Sequence, residues 1–158
     1  MMKNRNLRRM LSVLLILAML LPNVGMRVFS ADTPCAEDGC SGKYRNGICS
    51  VAGHFEAAPE EGGVYRISNA GQLHWFAALV NAGENEYDGD NGEVYDAVLT
   101  ADIVLDSERP WTPIGLYTSG RAYIRYSGTF DGAGHTISNL KQEKVTTGGL
   151  FGALEDGS

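Results

Sequence analysis

The sequence predicts a mainly β fold, the start of a stacked solenoid of short strands plugged at its N-terminal end by one amphipathic α-helix. Three observations predict it. One segment, Ser68 to Gly83, carries helical periodicity. The chain after it alternates with a period of two, in short runs separated by turn residues. Apolar spacings then recur inside that β zone, as they do when one structural unit is stacked on the next.

The helix is written in "SNAGQLHWFAALVNAG". Asn69, with Gln72 three residues on, makes a capping-box-like start. Leu73, Phe76, Ala77 and Val80 follow the i, i+3, i+4, i+7 rule, and Gly83 stands where a left-handed C-cap belongs. About three turns are too few to be stable alone, so the stripe must be buried on something. A solenoid has an open end with apolar interior and unpaired strand edges, and a helix just before the first strand covers it. His74 and Trp75 lie beside the stripe and read as packing residues rather than a site.

In "AVLTADIVL", Ala97, Leu99, Ala101, Ile103 and Leu105 form the expected inward face. The turn signals "SERPWTPIG" follow, then the shorter strands "YSGTF", "HTISNL" and "GGLFG". Asp131-Gly132 is a turn pair, and Gly134 supplies a second permissive position. Ile137 and Leu140 are three apart and would point to opposite faces of a straight strand. A bend at Ser138-Asn139 turns both inward, because Asn tolerates the left-handed region. "GTF" at 128–130 recurs as "GLF" at 149–151, an offset of 21. Ile103 precedes Gly115 by 12 residues, as Ile137 precedes Gly149. A loop insertion around Tyr117 to Arg125 reconciles the two offsets.

Upstream, Lys3, Arg5, Arg8 and Arg9 precede the apolar run "MLSVLLILAMLL", which Pro22 breaks before the small residues Ser30 and Ala31. That is the order of a secretory signal, cut after Ser30 or, alternatively, after Ala31. Its twelve-residue run falls short of the roughly 20 residues a spanning helix needs. The expected organisation is a signal peptide at 1–30, a cysteine-containing linker at 31–63, and the helix with the first coils at 64–158. The chain end, "GGLFGALEDGS", reads as the front of a longer frame. Five of the 13 basic residues and none of the 19 acidic ones fall in the signal, leaving eight against 19 and a net charge of −11. Such a surface repels nucleic acid and anionic lipid, so neither is an expected partner beyond the signal's own membrane contact.

Several clusters carry candidate chemistry. Asp131 and His135 suggest an acid/base pair, but no second convergent group is visible and the glycines already account for a turn. Cys35, Cys40 and Cys49 are spaced C-x4-C-x8-C, with His54 five residues further. In an exported chain the expected state is one disulfide and a leftover thiol; a Cys3His metal clip is the alternative. Asp88, Asp90 and Gly92 imitate a calcium loop, but its twelfth position, where a bidentate Glu is needed, is Leu99. Trp111, Tyr117, Tyr123 and Tyr126, with Arg121 and Arg125, offer a sugar-stacking surface or, more simply, packing. No catalytic, cofactor or metal residue is assigned.

"ISNAGQLHWFAALVNAG", "AVLTADIVL", "WTPIG", "YSGTFDGAGHTISNL" and "GGLFG", spanning roughly Val64 to Gly152, together resemble secreted bacterial surface proteins carrying the GLUG repeat. The repeat's Gly-Leu-x-Gly core matches Gly149-Leu150-Phe151-Gly152. Similar segments occur in non-catalytic regions of IgA1-protease-type surface proteins and of clostridial wall-associated proteins. The resemblance implies a right-handed parallel β-helix of pectin-lyase-like shape with the helix as its N-terminal cap, and no catalytic residues. Related proteins often close the cysteine stretch with Cys-x-x-Cys, which Ala52 breaks here. The expected function is a non-catalytic surface module that binds host or cell-wall glycans or proteins in adhesion or wall association. The alternative is the N-terminal part of a polysaccharide lyase, glycosidase or surface peptidase whose catalytic region lies beyond residue 158.

Overall fold

A computed structural model describes residues 33–82, 94–117, 123–143 and 148–155. All of them fall in one compact unit, Asp32–Ser158. Among the described residues, no helix is long and apolar enough to cross a membrane. The expected signal at 1–30 and the calcium-like loop at Asp88, Asp90 and Gly92 lie outside the described residues.

The elements in chain order are β1 (Tyr44–Arg45), β2 (Ile48–Cys49), β3 (Glu60–Glu61), β4 (Val64–Ile67), α1 (Ala70–Asn81), β5 (Asp96–Leu99), β6 (Ile103–Val104), β7 (Leu116–Tyr117), β8 (Tyr123–Ile124), β9 (Phe130–Asp131) and β10 (Ile137–Ser138). The solenoid expectation fails here. The strands form one four-stranded sheet, ordered β3-β4-β5-β9, and separate two-stranded pairs β1-β2, β6-β10 and β7-β8. β1-β2, β3-β4 and β7-β8 are antiparallel, while β4-β5, β5-β9 and β6-β10 are parallel. The right-handed parallel β-helix is therefore replaced by a small mixed-sheet α/β unit. Asn46-Gly47 and Gly62-Gly63, all at positive φ, reverse the chain into the hairpins β1-β2 and β3-β4, and within 64–158 the chain also doubles back in the antiparallel pair β7-β8. Period-two alternation is common to all these pairings and does not choose among them. The segment read as a linker, 31–63, carries β1 to β3.

α1 begins as its sequence directs. Asn69 is extended (φ −151°, ψ 170°), and its side chain accepts from the Gln72 N–H at 2.9 Å. Gln72 does not close the box on Asn69; its Oε1 accepts from the Ser68 N–H at 2.8 Å and the Ser68 hydroxyl at 3.0 Å. The C-cap is Ala82, in the right-handed region; Gly83 lies outside the described residues. Leu73, Phe76, Ala77 and Val80 are all buried. They pack on the inner face of β4 and β5, with Ile67, Ala97 and Leu99. Leu73, Phe76 and Val80 each contribute roughly 1.5–3 kcal/mol on burial, which offsets the short helix's own instability. Asn81 ties the other end: its Nδ2 donates to the Pro113 carbonyl and its Oδ1 accepts from Gly115 N–H, both at 2.9 Å.

The segment 97–105 is cut into β5 and β6 by a corner at Thr100, whose N–H and hydroxyl both donate to the Ile67 carbonyl. Ala97, Leu99, Ile103 and Leu105 are buried as expected, and Ala101, at the corner, is only half-buried. Ile103 pairs with Ile137 in the parallel β6-β10 register. Asn139 takes the left-handed conformation (φ 60°), and both Ile137 and Leu140 pack against the core. Phe130 and Phe151, the ends of the two "GxF" runs, meet edge to face at 5.4 Å but are not strand partners.

Candidate metal centre

The cysteine segment folds because its hydrogen bonds close locally. Pro34 bridges Lys43 antiparallel, and Cys35 N–H donates to the Gly42 carbonyl at 2.9 Å. A turn through Gly39 brings Cys40 back, its N–H on the Glu37 carbonyl at 3.0 Å. β1 and β2 are joined by Asn46-Gly47 at φ 49° and 74°, the two left-handed positions of a type I′ hairpin. Beyond β2 a turn ending at Gly53 (φ 69°) returns the chain, so that Phe55 bridges Ile48 and Cys49 N–H donates to the His54 carbonyl at 2.8 Å.

These turns deliver four donor atoms to one point. Cys40 Sγ and Cys49 Sγ are 3.4 Å apart, and Cys35 Sγ lies 3.5 Å from His54 Nδ1. All four lie within 4.8 Å of one another. A tetrahedral ion with Zn–S bonds of about 2.3 Å separates its sulfur ligands by about 3.8 Å. The side chains therefore stand close to the edges of such a tetrahedron. Cys35 and Cys49 are buried, while Cys40 and His54 are half-buried. Gly42 leaves the room: a Cβ there would collide with Cys49 Sγ.

The thiols do not ionise alike. Burial works against ionisation of Cys35, but the Glu37 backbone, the Tyr44 hydroxyl and the other two thiols outweigh it and hold Cys35 below 9.0. The backbones of Ala52 and Val51 lower Cys49 in the same way. At Cys40 the Gly42 backbone favours the thiolate, yet the adjoining Cys49 and Cys35 sulfurs keep the proton on it and push it up to about 11. Three thiolates crowded together repel one another, and a cation among them removes that conflict. Sulfur with imidazole nitrogen is the donor set of zinc-class ions rather than of calcium or magnesium.

The centre is joined to the helix by the hairpin tip. Asn46 accepts from Gly71 N–H through its carbonyl (2.9 Å) and from Ala70 N–H through Oδ1 (3.2 Å), and its Nδ2 donates to the Val104 carbonyl (2.9 Å). With Asn69 on Gln72 N–H, the first three free donors of α1 are all satisfied. The approach is close enough that a Cβ on Gly71 would enter the Gly47 backbone. Phe55, next to His54, stacks on His74 at 4.8 Å and 8°, and the Arg109 guanidinium lies 5.5 Å from the Phe55 ring centre.

The other sequence candidates separate. Asp131 Oδ1 accepts from Ala133 N–H at 2.7 Å, and Ala133 and Gly134 take the left-handed positions, so this is a turn, with Ala133 where Gly132 was expected. His135 is exposed and faces Asp102, not Asp131: Nδ1 to Oδ1 is 3.3 Å, and the same oxygen accepts from Thr136 N–H. Trp111 and Tyr126 are buried in the core, so they are not part of a sugar-stacking surface. Tyr117 and Tyr123 pair across β7-β8; Arg121 lies outside the described residues, and Arg125 stands 3.8 Å from Glu155. Sequence reading passes over Asn46-Gly47, whose dipeptide is the signal for a hairpin. Asp102 leaves no signal, being far in sequence from His135. No family model matches the chain, and neither curated proteins nor solved structures give a match.

Proposed function

We propose that the chain is an exported, non-catalytic module whose cysteine segment closes on one zinc-class divalent cation held by Cys35, Cys40, Cys49 and His54. The observation that carries this reading is the convergence of four soft donor atoms within 4.8 Å. Four protein ligands complete a tetrahedron and leave no position for water or substrate, which is the pattern of a structural site. The metal's part is to fix the hairpin whose tip caps α1. The net charge of −11 outside the expected signal and the resemblance to GLUG-repeat surface proteins support presentation of a surface, with glycans or proteins of a host or cell wall as partners. The metal reading is tested on the reduced chain by elemental analysis after dialysis against buffered zinc, and by cobalt substitution. One ion per chain and a thiolate-to-cobalt charge-transfer band with tetrahedral d–d absorption are expected, both lost in Cys49→Ser. A chain that retains no stoichiometric metal defeats the reading.

A further inference from the structure

The four ligands are not equivalent in how they face one another. Cys40 and Cys49 meet sulfur to sulfur at 3.4 Å, whereas Cys35 faces the His54 ring at 3.5 Å. A disulfide bond is about 2.05 Å long, so the Cys40 and Cys49 sulfurs need to close by about 1.4 Å to form one. Cys49 is fixed on β2 by its backbone, but Cys40 sits on the turn after Gly39 and is half-exposed. The sulfur that solvent reaches is thus the one poised beside a buried partner.

We propose that this centre, granted the metal reading above, is released by oxidation: a small-molecule disulfide converts Cys40 and Cys49 to an internal disulfide and expels the cation. The Cys40 sulfur, held as a thiolate by the bound cation, attacks the disulfide RS–SR, forming a Cys40–SR mixed disulfide and freeing one RS⁻. The Cys49 thiolate then attacks the Cys40 sulfur and frees the second RS⁻. The protein loses two electrons, the reagent gains them, and both RS⁻ take protons from solvent. Two of the four ligands are consumed, and Cys35 with His54 alone do not make a closed site. The new bond spans the β1-β2 hairpin, so the hairpin itself survives while the metal leaves. A chain sent to an oxidising compartment meets this chemistry directly.

The test loads the reduced chain with zinc, removes excess, and adds oxidised glutathione without oxygen, with a chromophoric chelator reporting free zinc. One zinc released per chain, two glutathione thiols produced and a Cys40–Cys49 peptide link by mass spectrometry are expected, with rebinding after dithiothreitol. A chain that takes up no zinc at the loading step sinks the metal reading and this one with it. A loaded chain that keeps its zinc through oxidation, or whose disulfide contains Cys35, overturns this proposal alone.

Discussion

His74 lies on the second turn of α1, 5% exposed, stacked on Phe55 and 5.2 Å from the Trp111 ring. Its Nε2 has no hydrogen-bond partner among the described residues. Burial, then the nearby Arg109 charge, pushes its pKa down to about 4 from 6.5. The folded state therefore holds His74 neutral, while the unfolded chain takes up a proton as pH falls through 6.5. Stability is fully present above that pH and is lost on the way down to about 4, below which both states are protonated. The linkage gives a loss of about 2 kcal/mol between pH 7 and 5, approaching about 3 at pH 4. His74→Phe keeps an aromatic ring against Phe55 and removes the titration. Urea unfolding of both proteins at pH 7, 6 and 5 isolates the effect, because they differ only at residue 74. The variant is expected to lose about 2 kcal/mol less than wild type by pH 5. Equal pH slopes for the two proteins would refute the buried-neutral account.

Two further outcomes follow from the helix N-terminus. Gly71→Ala should destabilise by about 1–3 kcal/mol, because its Cβ enters the Gly47 backbone, where an exposed helical site would instead gain from alanine; thermal unfolding decides, and a stabilised variant contradicts the close approach. Asn69→Ala should cost about 1 kcal/mol by chemical denaturation, since it removes the acceptor for Gln72 N–H and the donor to Glu56 Oε2; an unchanged midpoint would mean water replaces the cap.

What the sequence discloses is what short-range physics decides. The helix, its Asn69 cap and its buried stripe follow from periodicity and capping chemistry. The inward face of 97–105 and the left-handed Asn139 follow from alternation and from the residue's tolerance of positive φ. Strand pairing does not follow, because Val64 opposite Asp96 and Glu60 opposite Tyr65 obey the same alternation in opposite directions. The cysteine spacing admits a disulfide or a clip. What brings His54 to the thiols is the left-handed turn at Gly53, a three-dimensional event that spacing alone leaves open. His74 reads as a stripe neighbour and turns out buried, because Phe55 from the cysteine segment covers the helix flank that the sheet leaves bare.

The strand partners also set an order of events. Val64 meets Asp96, Ile103 meets Ile137 and Ile114 meets Phe151, so sheet formation waits on closing loops of roughly thirty residues or more. Topologies dominated by such distant pairings fold slowly, whereas a tight hairpin closes in about 1–10 μs. Among the described strands, the hairpins Tyr44 to Cys49, Glu60 to Tyr65 and Leu116 to Ile124 need no distant partner. In a newly made chain the hairpin through Asn46-Gly47 can thus organise before the body that it later seats, with the Asn46 acceptors already placed to receive the first N–H groups of α1.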